Sequence, residues 1–223
     1  MNRNIEEIRR MLDGLTSYEG IPADDIPDIA LYMDQVTTFM DKKLDSFKRN
    51  DDDKILTKTM INNYTKAKLS FPPVNKKYEK EHIMLLTLIY HMKQIISVND
   101  MAKLLNPIIN YMDNSGNNTK SAEELYSIFT DMESEQLNLF DKGVEDIISD
   151  LSANNRLKSI SGDAFMILMV LTLIIQAERR KNLAEKLIDR FFTQETDEKD
   201  KKKEDEKPKE KSKSKNQKRQ TAE

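Results

Sequence analysis

Lysines and asparagines crowd one stretch of this chain, and their spacing suits a grip on a phosphate backbone. Lys58, Asn62, Lys66 and Lys68 recur so that several can lie on the exposed side of a helix predicted over residues 57–66. Thr57 is a good N-cap. The N–H groups left unpaired at that helix start attract phosphate. Asn62 or Asn63 can read an adenine edge through a bidentate contact, with Tyr64 beside them. Lys76 and Lys77 follow Pro72-Pro73 in a short basic loop, where they can hold further phosphates. The plainer reading of the same lysines is a solvated face.

Other chemistries find little material. The chain has no cysteine and two histidines, which excludes disulfides, thiolate metal sites and cysteine nucleophiles. Glu79-Lys80-Glu81-His82 has the Glu-x-x-His spacing of di-iron helical bundles, but no second copy exists to complete such a site. His82 and His91 are nine residues apart, on opposite faces of one helix, and cannot share a metal there. No phosphate-binding glycine loop, dinucleotide fingerprint or nucleophile elbow occurs. Paired carboxylates such as Glu123-Glu124 sit in exposed contexts that do not favour acid–base work. No catalytic residue, cofactor site or metal site is expected.

The elements that must position the basic residues are helical. The 223 residues include only 5 glycines and 6 prolines, too few for a many-turned β-sandwich. Ile5, Ile8, Leu12 and Leu15 predict a short amphipathic helix at the N-terminus, followed by a turn through Gly20, Pro22 and Pro27. A second helix is predicted from Asp28, carrying Ile29, Tyr32, Met33, Val36 and Met40 on one side. Residues 74–78 are short enough for a tight hairpin, and residues 79–94 return to helix. Ser97 to Asp100 has capping-box spacing and opens another helix, with a break expected at Asn106-Pro107. A second capping box, Ser121 to Glu124, opens a long amphipathic segment to residue 151. The last helix, residues 161–192, is apolar nearly all round at first, which predicts burial on several sides.

Charge is unevenly placed along these elements. From Lys54 to His82 there are seven lysines and two acids, whereas from Lys120 to Asp150 there are nine acids and two lysines. A basic binding face beside a separately oriented acidic helix fits that layout. Residues 193–223 are almost wholly polar and mixed in charge, and are expected to be a disordered tail. The N-terminus shows no secretory signal, and the longest uncharged apolar run, Ala164 to Ile175, is 12 residues. A membrane span needs about 20. A cytoplasmic protein is expected, with no membrane partner.

The run Ile61-Asn62-Asn63-Tyr64-Thr65-Lys66, followed by Leu69, Pro72, Tyr78, Leu86, Ile89, Ser97 and Leu104-Leu105, resembles the MerR-type winged helix-turn-helix. The wider stretch from Ile26 to Met112 resembles more closely a bacterial domain of unknown function, family 1836. The resemblance implies a homodimeric regulator that binds double-stranded DNA, with residues 57–66 as recognition helix and a wing around residues 76–78. Asn62 stands where the MerR pattern carries an arginine, and the cysteines of metal-sensing members are absent.

The expected architecture is therefore all-α with a small β wing. Residues 1–25 form an N-terminal helix and linker, 26–112 the winged domain, and 119–192 a helical region for dimerisation. Residues Thr57, Lys58, Asn62, Asn63, Tyr64, Lys66, Lys68, Lys76 and Lys77 are the candidate DNA contacts. Whether the segment 121–151 pairs with its twin or packs within the chain is open. So is whether the apolar patch 165–175 is core or a site for a hydrophobic effector. The alternative function is a helical protein-interaction adaptor that uses the winged fold as a scaffold.

Overall fold

A computed structural model describes residues 2–16, 20–113, 119–157, 160 and 163–192. Among these residues the protein is mostly helical, with seven α-helices and one two-stranded antiparallel sheet. The helices are α1 (Asn2–Thr16), α2 (Met33–Lys43), α3 (Lys58–Lys66), α4 (Lys80–Met92), α5 (Val98–Asp113), α6 (Thr119–Ala153) and α7 (Ala164–Phe191). The strands are β1 (Leu31–Tyr32) and β2 (Lys77–Tyr78). The charged tail expected over residues 193–223 lies outside the described residues.

Two apolar cores organise these elements. The larger is built around α4, whose Ile83, Met84, Leu85, Leu86 and Ile89 are almost completely buried. It gathers Ile21 and Ile26, Val36 and Met40 of α2, Ile61 and Tyr64 of α3, Met101 and Leu105 of α5, and Tyr126 at the start of α6. The Tyr126 hydroxyl donates to the Ile21 carbonyl at 2.8 Å, tying the beginning of this unit to its end. The smaller core joins Leu12 of α1, Val144, Ile147 and Ile148 of α6, and Phe165 and Met169 of α7. A bidentate pair between Arg9 and Glu145 (2.8 and 2.9 Å) lies beside it. The long helix α6 thus belongs to one core at its start and to the other at its end.

Several local expectations are corrected. The helix predicted from Asp28 begins at Met33, because residues 31 and 32 pair as a strand with Tyr78 and Lys77. The Tyr32 N–H then turns to the Gln35 Oε1 at 2.8 Å, capping α2, and Ile29 is left 71% exposed. Asn106-Pro107 does not break α5, which runs through Pro107 to Asp113. A proline inside a helix costs about 3 kcal/mol. Burial of Met101 and Leu105 below it, and of Ile108 and Ile109 in part, offsets that cost. The helix opening expected at Ser121 starts two residues earlier, at Thr119.

The largest departure concerns α7. Its apolar first half packs one face, Phe165, Met166, Met169 and Leu173, onto α6 and α1. The opposite face is open to solvent rather than buried on several sides: Ile167, Leu168, Val170, Leu171, Ile174 and Ile175 are between 40% and 56% exposed.

Candidate nucleic-acid interface

Helix α3 is amphipathic over its nine residues, and the fold decides which side faces water. Ile61 and Tyr64 point into the core, while Lys58, Asn62 and Lys66, at steps of four, form an exposed row with Asn63 alongside. The Thr57 Oγ1 accepts the Met60 N–H at 3.1 Å, so Thr57 starts the helix as its N-cap. Tyr64 is 8% exposed and sits beneath this face, its phenol pKa pushed up by burial. It supports the helix from inside instead of standing with the exposed asparagines.

The far end of α3 closes with a Schellman arrangement. Leu69 N–H reaches the Tyr64 carbonyl at 2.9 Å and Lys68 N–H reaches that of Thr65 at 3.1 Å. Lys68 occupies the left-handed position, with φ of 58°, and its side chain is exposed two residues beyond Lys66. Glycine or asparagine is the usual occupant there, since a Cβ makes this conformation costly.

The basic loop is a tight hairpin. Val74 and Lys77 exchange backbone hydrogen bonds of 3.0 and 2.9 Å, leaving Asn75 and Lys76 as a two-residue turn. Both have positive φ, 52° and 62°, which is the signature of a type I′ turn. Lys77 and Tyr78 pair with Tyr32 and Leu31, the residues that lead into α2. The Lys77 Nζ lies 5.4 Å from the centre of the Tyr32 ring. Tyr78, 2% exposed, anchors the hairpin to the core. Because α2 also packs against α3, hairpin and helix are mounted on the same support.

A buried histidine holds the hairpin's base. His82 Nδ1 accepts the Glu79 N–H at 3.0 Å, and Nε2 lies 3.4 Å from the Pro72 carbonyl. An acceptor at Nδ1 places the ring proton on Nε2, directed at Pro72. Phe71 and Tyr78 meet the ring edge-on at 5.9 and 5.4 Å. Burial lowers the His82 pKa and keeps it neutral. The Glu-x-x-His spacing at residues 79–82 is therefore that of an N-cap and its third helical residue. The spacing that is incomplete as a di-iron motif is complete as a helix cap.

The electrostatics separate two kinds of lysine. Lys43 pairs with Asp25 at 2.6 Å, Lys48 with Asp41 and Asp45 at 2.9 and 2.7 Å, and Lys80 with Glu123 at 2.5 Å. On the candidate face, Lys58 meets the exposed Asp34 of α2. Among the described residues, no ion pair involves Lys66, Lys68, Lys76 or Lys77. Nor do the described residues contain a group of three or more His, Asp or Glu placed to hold a metal. No helix among them is long and apolar enough to cross a membrane.

This arrangement defines a helical domain that presents a short basic helix next to a basic hairpin. Residues 21–129 match the model of the family described as Domain of unknown function (DUF1836). The match supports the resemblance to that family. It begins at Ile21, the first residue of the larger core, and ends at Phe129, which packs against that core from α6. Searches of curated proteins and of solved structures give no match.

Proposed function

We propose that the protein is a cytoplasmic DNA-binding transcriptional regulator without catalytic activity, built on a MerR-like winged helix-turn-helix and acting as a homodimer. In this reading α2 and α3 form the helix-turn-helix, α3 enters the major groove, and the hairpin at Asn75-Lys76 is the wing. The observation that carries it is the exposed row of Lys58, Asn62, Asn63 and Lys66 on α3, together with the exposed Lys68 and Lys76 and the half-buried Lys77 in the segment that follows. Two of these lysines hold left-handed backbone. Retaining a lysine where glycine is cheaper is accounted for if the charge is used. The lysines grip phosphates, and Asn62 and Asn63 are placed to contact base edges.

Selection of binding sites from a randomised DNA pool, followed by anisotropy titration across a salt series, tests the reading. Salt-sensitive binding and an enriched near-palindromic site are expected, with binding collapsing in a Lys58→Ala/Lys66→Ala/Lys77→Ala variant. Absence of binding at low salt, or indifference to the three lysines, overturns it. The adaptor alternative draws on Leu125, Ile128, Met132 and Leu139, an exposed apolar stripe on α6. A protein partner gripped there would respond far less to salt.

A further inference from the structure

The exposed apolar face on the first half of α7 needs an occupant. Ile167, Leu168, Val170, Leu171, Ile174 and Ile175 together leave on the order of 500 Å² of apolar surface in water, near the upper end for a patch on a lone soluble protein. No charged residue interrupts the helix between Ala164 and Ala177.

The pattern itself points to what covers it. Ile167, Val170, Leu171 and Ile174 stand at i, i+3, i+4 and i+7, and the set has the same form read from either end. A helix face of this form can meet its own copy about a twofold axis perpendicular to the helix, with each residue of the set facing another member of the same set. With the axis between residues 170 and 171, Ile167 of one chain meets Ile174 of its twin, and Val170 meets Leu171. Leu168 and Ile175 flank the seam. Two such faces bury about 1,000 Å², the size at which a specific interface becomes sustainable.

The charges beyond the seam select its direction. After the apolar half come Glu178 and then three cations, Arg179, Arg180 and Lys181. Parallel pairing in register sets these cations against their own copies. Antiparallel pairing about the 170/171 axis separates the two Arg180 residues by about 28 Å along the helices.

We propose that the partner of this face is a second copy of the chain, joined through an antiparallel seam of Ile167, Val170, Leu171 and Ile174 on α7. This deepens the homodimer part of the proposed function and assigns the seam to α7, within the region 119–192 expected to dimerise. It does not depend on DNA binding.

Sedimentation equilibrium of the full chain without DNA tests it. Twice the chain mass of 26.0 kDa is expected for the natural sequence. A Leu171→Glu/Ile174→Glu variant is expected to sediment as a single chain with unchanged helical circular dichroism, since both side chains face solvent within one chain. Direction is read by disulfide cross-linking, for which the cysteine-free chain provides a clean background. Leu171→Cys sits next to the axis and is expected to link to its twin on oxidation. Two copies of Ile167→Cys lie about 10 Å apart along the axis, beyond disulfide reach, and are expected not to link. A natural chain that stays monomeric throughout a micromolar series overturns the proposal. So does a dimer that survives the double glutamate variant, or an Ile167→Cys chain that links as readily as Leu171→Cys. Loss of DNA binding with the dimer intact would overturn the regulator reading and leave the seam standing.

Discussion

Lys68 and Lys76 occupy backbone with φ of 58° and 62°, where an L-residue is strained and glycine is not. Each position therefore trades local stability for a side chain at a chosen place. Lys68→Gly is expected to stabilise the fold in urea unfolding by about 0.5–1 kcal/mol, the left-handed strain of about 1–2 kcal/mol less the roughly 0.4–1 kcal/mol by which glycine loosens the unfolded chain. Lys76→Gly is expected to do the same, since it converts the turn to Asn-Gly, the preferred type I′ pair. Under the proposed function both variants bind DNA more weakly while being more stable, and anisotropy reads that opposition directly. Tyr64 behaves in the reverse sense. Its ring is buried under α3, so Tyr64→Phe is expected to leave DNA affinity within twofold, whereas Asn62→Ala on the exposed row weakens it.

At the level of elements, α4 and α6 are joined by a buried pair of titratable groups. His91 Nε2 and Glu133 Oε1 are 3.3 Å apart, with the rings of Phe47, Tyr90 and Phe129 around the histidine. Burial lowers His91 to about 4 and raises Glu133 to about 7. The unfolded chain titrates near 6.5 and 4.5 at these groups. From about pH 4.5 to 6.5 the folded pair carries one proton, on the glutamate, and the unfolded pair also carries one, on the histidine. Folding then exchanges no proton there, and the pair contributes no pH slope. Glu133→Gln removes the compensation. His91, with its folded pKa depressed, then gives stability that is present above about 6.5 and lost as pH falls toward about 4. Between pH 7 and pH 5 the variant is expected to lose up to about 2 kcal/mol more than the natural protein in urea unfolding. Equal losses in the two proteins would refute this account. His82, also lowered by burial, acts alike in both and drops out of the comparison.

On the scale of the whole molecule, the two charge blocks are separated by the fold as well as by sequence. The basic residues lie on α3 and the hairpin, while the acidic run lies on α6, which reaches from the larger core to the smaller. Under the proposed function its carboxylates repel a phosphate backbone and so help orient the basic side toward it. Each lysine that contacts a phosphate contributes close to one unit of slope in a plot of log affinity against log salt. Under the proposed function the triple lysine variant, titrated at low salt where its weakened binding is still measurable, is expected to show a slope shallower by nearly three. An unchanged slope would mean that these lysines touch no phosphate.

Much of the architecture is local in origin, and that part was readable from residue order. The helical repeats of apolar residues, the Thr57 cap, the short hairpin after Pro72-Pro73 and the clustering of lysines between residues 54 and 82 all depend on near neighbours. The resemblance of the middle of the chain to family 1836 rests on that same order. Tertiary structure decided the rest, because burial and strand pairing belong to pairs of distant segments. Residues 31 and 32 became a strand only because Lys77 and Tyr78 were available to pair with them. Pro107 stayed inside a helix because the residues around it are buried. Tyr64 went inward and Asn62 outward because the core lies on one side of α3. The apolar half of α7 reads from composition as interior, yet the chain covers only the face turned toward α6 and α1. Hydrophobicity sets which residues must leave water, whereas the geometry of packing sets how many of them one chain can shelter.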